Sequence, residues 1–208
     1  MFDFTPAEQA ILKKLSTPAK IQDFLNRIPI NFETHGETLY SPRMVLKHRQ
    51  AHCMEGALFA AAALRFHGHP PLIVDMVATK NDEDHVIAVF KQNGCWGAIS
   101  KTNHAVLRYR EPVYKTIREL VMSYFHEYFT NHDGRKTLRS YAGPVHLSRF
   151  DARGWMTSPD DVWYISQYLA RMPHVSILSR SQIALLRPAD MIERKAGELV
   201  DWKKPKNI

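Results

Sequence analysis

Two side-chain types in this 208-residue chain can supply a nucleophile and a proton acceptor near neutral pH: its two cysteines and its eleven histidines. Cys53 opens the stretch Cys-Met-Glu-Gly-Ala-Leu-Phe-Ala-Ala-Ala-Ala-Leu, which is small and apolar on nearly every side. That is the pattern of a helix enclosed by protein. A thiol at the start of such a helix sits near unpaired amides and the positive end of the helix dipole, which favours thiolate over thiol. His85 follows the acidic run Asn81-Asp82-Glu83-Asp84 and opens an aliphatic, β-branched run to Phe90. A lone cysteine often only packs, and a lone histidine at that place would be an ordinary loop residue. Together, a helix-borne cysteine and a strand-opening histidine match a thiol enzyme in which the imidazole takes the thiol proton and a third group orients the ring.

The third group follows from strand register. Cys95 to Ser100 is a second strand-like run, separated from the first by Lys91-Gln92-Asn93-Gly94, whose Asn-Gly pair suits a hairpin turn. With a four-residue loop, Phe90 pairs with Cys95 and His85 lies opposite Ser100; with a two-residue loop, Ser100 becomes a diagonal neighbour on the same face. Either register brings Ser100 to the His85 side, where its hydroxyl can accept from the ring Nδ1–H. Asn103 reaches that face only through a bulge and ranks second. Asp84 adjoins His85, but successive strand residues point to opposite faces.

Further elements must hold these residues. Thr5-Pro6-Ala7-Glu8 has capping-box form, and Thr17-Pro18 repeats the start signal before Ile21, Phe24, Leu25 and Ile28 at helical spacing. Residues 31–43 read as a loop. The central helix runs from Cys53 to about Phe66, stopped by Gly68 and Pro70-Pro71, and Leu72 to Ala78 reads as a buried strand. The second half is expected to be mainly helical. Pro112 starts a helix to about Phe129, and Ser158-Pro159-Asp160-Asp161 caps another with the stripe Val162, Ile165, Leu169 and Met172. Residues 175–200 add helix, with a short strand at Val175 to Leu178, and 203–208 form a solvated tail.

Composition narrows the function classes. Hydrophobic residues make up 45% and charged residues 24%, an ordinary globular balance. One domain over residues 1–208 is expected at this length. The longest apolar run, Ala57 to Leu64, is far too short to span a bilayer, so no membrane partner is expected. The first fifteen residues lack the basic-then-apolar form of a secretory signal, and two cysteines do not make a disulfide framework, which points to the cytoplasm. A net charge of +7 favours acidic partners. His48 and His52 stand four apart, a spacing that permits but does not specify a metal site, and neither metal nor other cofactor is expected. The aromatic and basic residues between Arg108 and Arg153 read as core spacing rather than a nucleic-acid surface.

On Cys53 with its small-residue helix, Gly68 and the following strand, Asp84-His85-Val86, and Trp96 four residues before Ser100, the chain resembles the transglutaminase-like superfamily of the papain-like peptidase fold, in particular bacterial members of unassigned function. The resemblance covers about residues 42–104 and is looser at Thr17-Pro18-Ala19-Lys20-Ile21 and in the second half, about 105–202. It implies an α+β fold with a central helix on a small, mainly antiparallel sheet and extra helices at both ends. It also implies a cysteine-dependent hydrolase or acyl transferase acting on an amide or ester of a peptide, protein or small acyl substrate. Cys53 would be nucleophile, His85 base, and Ser100 would stand where the family usually has aspartate. The alternative it leaves is an inactive binding protein that keeps the cleft.

Overall fold

The computed structural model describes residues 3–203 and is an α+β arrangement built on one six-stranded antiparallel sheet. Three helices precede the central one: α1 (Pro6–Lys14), α2 (Pro18–Arg27) and α3 (Pro42–His48). Each has proline in its first turn and a Thr or Ser cap, with Thr5, Thr17 and Ser41 accepting from the amides of Glu8, Lys20 and Met44. The central helix α4 (Cys53–Phe66) is buried at every position from Met54 to Leu64. Its alanine run lets the sheet approach on one side and α2 and α3 on the other, with Phe24 of α2 stacked on Phe59 at 4.9 Å.

The strands are β1 (Leu72–Val77), β2 (His85–Gln92), β3 (Cys95–Ile99), β4 (Arg110–Tyr114), β5 (Ser140–His146) and β6 (Val175–Ser176), in spatial order β4-β3-β2-β1-β5-β6. Gln92 pairs with Cys95, so the hairpin loop is the two-residue Asn93-Gly94, with φ of 49° and 77°. Positive φ at both positions is what a two-residue type I′ turn needs, and Asn-Gly supplies it at low steric cost. Period-two alternation then divides the core. Ile73, Val86, Ala88, Phe90 and Ile99 face the α4 side, and Val74, Met76, Ile87, Val89 and Ala98 face a second core with Leu120, Tyr124 and Leu138.

The second half departs from the helical expectation. Residues 110–114 form the edge strand β4, and helix α5 is only Ile117–Met122, followed by a 3-10 turn at Phe125–Glu127. The true start signal is Thr116 with Glu119, a reciprocal capping box. Pro112 sits on an edge strand, where a missing N–H is tolerated. Strand β5, in a half expected to be mainly helical, contains Gly143-Pro144, a pair common in turns, and its register with β1 shifts between Ile73 and Asp75. Helix α6 (Trp163–Arg171) buries Val162, Ile165 and Leu169 as its stripe suggests, with Met172 half-buried. Helices α7 (Arg180–Ala184) and α8 (Met191–Gly197) complete the chain, and beyond Lys203 the expected tail lies outside the described residues. No helix among the described residues is long and apolar enough to cross a membrane.

Candidate active site

Cys53 is the first residue of α4, and the strand order brings the start of β2 beside it. The half-buried thiol shares a cavity wall with the rings of His85 and His52, and both rings act on its titration. Burial alone would push this thiol up. The hydrogen bonds from His52 and His85 and their positive charges overcome that and bring it down from 9.0 to about 5. That direction favours thiolate over thiol.

Ser100 lies one residue beyond β3, and with the two-residue turn it is the diagonal neighbour of His85. Its Oγ is 2.8 Å from His85 Nε2 and 2.5 Å from the Leu107 carbonyl oxygen. The hydroxyl proton goes to that carbonyl, so Ser100 accepts from His85 Nε2–H and leaves Nδ1 for the sulfur. The expected contact is present, made through Nε2 instead of Nδ1. Ser100 is itself pinned by Gln22 of α2, whose amide accepts from the Ser100 N–H at 2.9 Å and donates to its carbonyl at 2.8 Å. The Leu107 carbonyl is aimed by a left-handed backbone, φ 59°, with the Leu107 amide bonded to Glu127 and Glu127 paired to Arg110.

The other candidates lie elsewhere. Asn103 bonds in both directions to the Trp202 backbone, which ties the loop after Ser100 to the residues following α8. Asp84 accepts from the Ala78 amide at 2.8 Å and makes no bond to the His85 ring. His48 stacks on Tyr40 at 4.8 Å, and the left-handed Arg49 (φ 56°) ends α3 before His52, so the two histidines do not share a helical face. Among the described residues no group of three or more His, Cys, Asp or Glu is arranged to hold a metal ion.

Three contributors were not expected at the thiol from sequence: His52, weighed only as a metal ligand with His48, and Glu55 and Gln22. The Glu55 carboxylate is fully buried and accepts from Asn31, Thr38 Oγ1, the Tyr40 amide and the His52 amide, at 2.8 to 3.2 Å. It also lies 3.4 Å from His52 Nε2, which donates to the Thr38 carbonyl at 3.1 Å. The signal was available, since His52 and Glu55 have N-cap and third-position spacing at the head of the central helix. Gln22 left no such signal, being 78 residues from its partner.

A cavity of about 800 Å³ opens over the thiol, with His52, Cys53 and His85 in its lining together with Asp82, Glu83 and Asp84 of the acidic loop. Lys101 also reaches its wall, but its ammonium is turned to the carbonyls of Leu25 and Ile28 at the end of α2. Burial lowers that ammonium to about 8. Comparison with protein-family models gave no match, and comparison with curated proteins gave none, so the reading of this site rests on its geometry.

Proposed function

We propose that the protein is a cysteine-dependent hydrolase or acyl transferase of transglutaminase-like type, acting on an amide or ester bond. The observation that carries this is Cys53 at the head of α4 sharing a cavity wall with His85, whose Nε2 is bonded to Ser100. Cys53 Sγ attacks the acyl carbon, forming a C–S bond while the carbonyl π pair moves to oxygen. The Cys53 amide, one of the first-turn N–H groups with no carbonyl a turn back, donates to that oxyanion. Collapse breaks the bond to the leaving amine or alkoxide, which takes its proton from His85 Nδ1. Water, or an acceptor nucleophile, then gives a proton to the same nitrogen, attacks the thioester and releases the sulfur as thiolate.

The substrate we infer is a peptide, protein or small acyl donor of neutral or cationic character. Net charge alone favours acidic partners, but the carboxylates of Asp82, Glu83 and Asp84 line the cavity itself, and a local field of that sign disfavours an anionic acyl group. A free thiol nucleophile supports a reducing compartment, in our reading the cytoplasm. Incubation with a panel of activated esters and peptide amides, followed by intact-mass analysis, tests the activity: an acyl adduct on Cys53, absent from Cys53→Ala, is expected. A second reading, a binding protein without turnover, is favoured by one observation, that His85 has a hydroxyl and no carboxylate behind it. Absence of any adduct from a folded protein whose Cys53 nonetheless alkylates at pH 6 selects that reading.

A further inference from the structure

The acid missing behind His85 is present on the other side of the sulfur. His52 directly precedes the nucleophile, both line the same cavity, and Glu55 lies one helical turn on, 3.4 Å from His52 Nε2. The hydrogen bonds fix one proton: the Thr38 carbonyl can only accept, so Nε2 carries a hydrogen, and Nδ1 lies on the other side of the ring. Glu55 is fully buried and ringed by donors from Asn31, Thr38, Tyr40 and the His52 backbone. Every hydrogen-bond partner of this carboxylate donates to it. Its oxygen faces the ring nitrogen that carries that hydrogen.

We propose that His52, oriented by the buried Glu55 carboxylate, is a second catalytic imidazole at Cys53: the fixed cation that holds the sulfur as thiolate while the His85 proton comes and goes. The assignment rests on the thiol-nucleophile reading above. Glu55, His52, Cys53 and His85 then form a row of alternating charge, and the negative end that the family places behind its base is here placed behind His52. Glu55 is a positioning residue that acts through His52. A serine behind His85 becomes sufficient, since the thiolate does not depend on His85 alone. Burial opposes the charge on His52, but the contacts to Cys53, Glu55 and the Thr38 carbonyl overcome it and raise the ring from 6.5 to about 9.

Other titratable groups face this row from neighbouring elements. Glu33, in the loop before α3, is 4.0 Å from His52 Nε2 with its Oε1 engaged by the Thr38 amide. Asp75 of β1 is held above the usual carboxylate range by burial and by Asp84, and is opposed by His174 at 3.7 Å. Tyr128, after the 3-10 turn, donates to the Glu83 carbonyl and is pushed up by burial. The negative groups among these oppose a thiolate, so none of them substitutes for the His52 cation.

The test reads the protonation of both rings and of the sulfur separately. In the intact wild-type protein, nitrogen-15 histidine NMR at pH 7 should show His52 protonated on both nitrogens, losing one proton only near pH 9. In Cys95→Ser background, thiolate absorbance should titrate near pH 5, and His52→Gln should move that midpoint up by about 1–3 units, the usual effect of an opposite charge at this range. Glu55→Gln should shift it in the same direction, and Glu55→Asp should restore part of the shift. A His52 ring that is neutral at pH 7 in the wild-type protein overturns the proposal, with no variant needed to fold. So does an unshifted midpoint in folded His52→Gln; if His85→Gln alone raises it, the nucleophile reading stands with His85 as sole partner. A wild-type thiol that titrates near 9 removes both.

Discussion

Ser100 shows how a hydroxyl can be held where a carboxylate would not fit. Its single proton goes to the Leu107 carbonyl at 2.5 Å, and its lone pair takes the His85 Nε2–H. Ser100→Ala removes both contacts, and with the His85 ring freed, iodoacetamide should alkylate Cys53 several-fold more slowly at pH 6, read by mass spectrometry of the modified peptide. Ser100→Asp turns acceptor against acceptor at Leu107 in a site that is 1% exposed, and should lower the unfolding free energy by about 1–3 kcal/mol in a denaturant titration. Glu55→Gln places an amide N–H₂ among donors and leaves His52 uncompensated, so about 3–5 kcal/mol of destabilisation is expected in the same measurement. Protonation adds a pH dependence with two signs. The folded Cys53 thiol lies below its unfolded value of 9.0, so its contribution is complete above pH 9 and disappears as pH falls through about 5. The folded His52 lies above its unfolded value of 6.5, so its contribution is complete below pH 6.5 and disappears as pH rises through about 9. Melting temperatures from pH 4 to 10 should therefore fall more steeply at the acid end in wild type than in Cys53→Ala, and more steeply at the alkaline end than in His52→Gln.

At the scale of elements, the site depends on how closely α4 meets the end of β3. A Cβ on Gly56 would stand 2.3 Å from Lys101 Cβ, so this turn of α4 and the residue after Ser100 touch only because Gly56 has no side chain. Lys101 then reaches across to cap the α2 carbonyls of Leu25 and Ile28, and Gln22 of the same helix brackets Ser100. Gly56→Ala must displace Lys101, at about 1–3 kcal/mol by the usual cost of overpacking. The displacement should slow Cys53 alkylation along with the loss of stability, whereas an equal destabilisation at the remote Leu12, by Leu12→Ala, should leave the rate of the folded protein unchanged. The parts of this arrangement that sequence made legible are local ones. The alanine run marked α4 to its ends, Asn93-Gly94 fixed the hairpin, and period-two alternation carried His85 and Ser100 to one face. The parts that stayed hidden are non-local or carry misleading local signals. Pro112 imitates a helix start on an edge strand, Gly143-Pro144 imitates a turn inside β5, and nothing near Gln22 or Lys101 announces partners more than 70 residues away. Glu55 was the avoidable miss, since its capping position behind His52 is written in four consecutive residues.

For the molecule as a whole, a chain of net charge +7 carries a cavity lined by Asp82, Glu83 and Asp84. Long-range attraction and local selection then have opposite signs. A cationic methanethiosulfonate should modify Cys53 several-fold faster than an anionic one of similar size, with the gap closing in high salt and narrowing in Glu83→Lys. The far wall is assembled from the end of the chain: Asn103 holds Trp202, His104 Nδ1 takes the Gly197 carbonyl, and Arg108 pairs with Asp201. Both the wall and the loop that aims the Leu107 carbonyl thus depend on residues after α8. The sheet, the buried α4 and this strap converge on one claim, that Cys53 is an activated thiolate held between two imidazoles. The direct measurement is the rate of iodoacetamide alkylation of Cys53 from pH 4 to 10, read at the Cys53 peptide with Cys95, at the distant hairpin, as the thiol for comparison. The account predicts half-maximal rate near pH 5 and a plateau through neutral pH; a rate that stays low at pH 7 and rises only toward pH 9, as for an unassisted thiol, contradicts it.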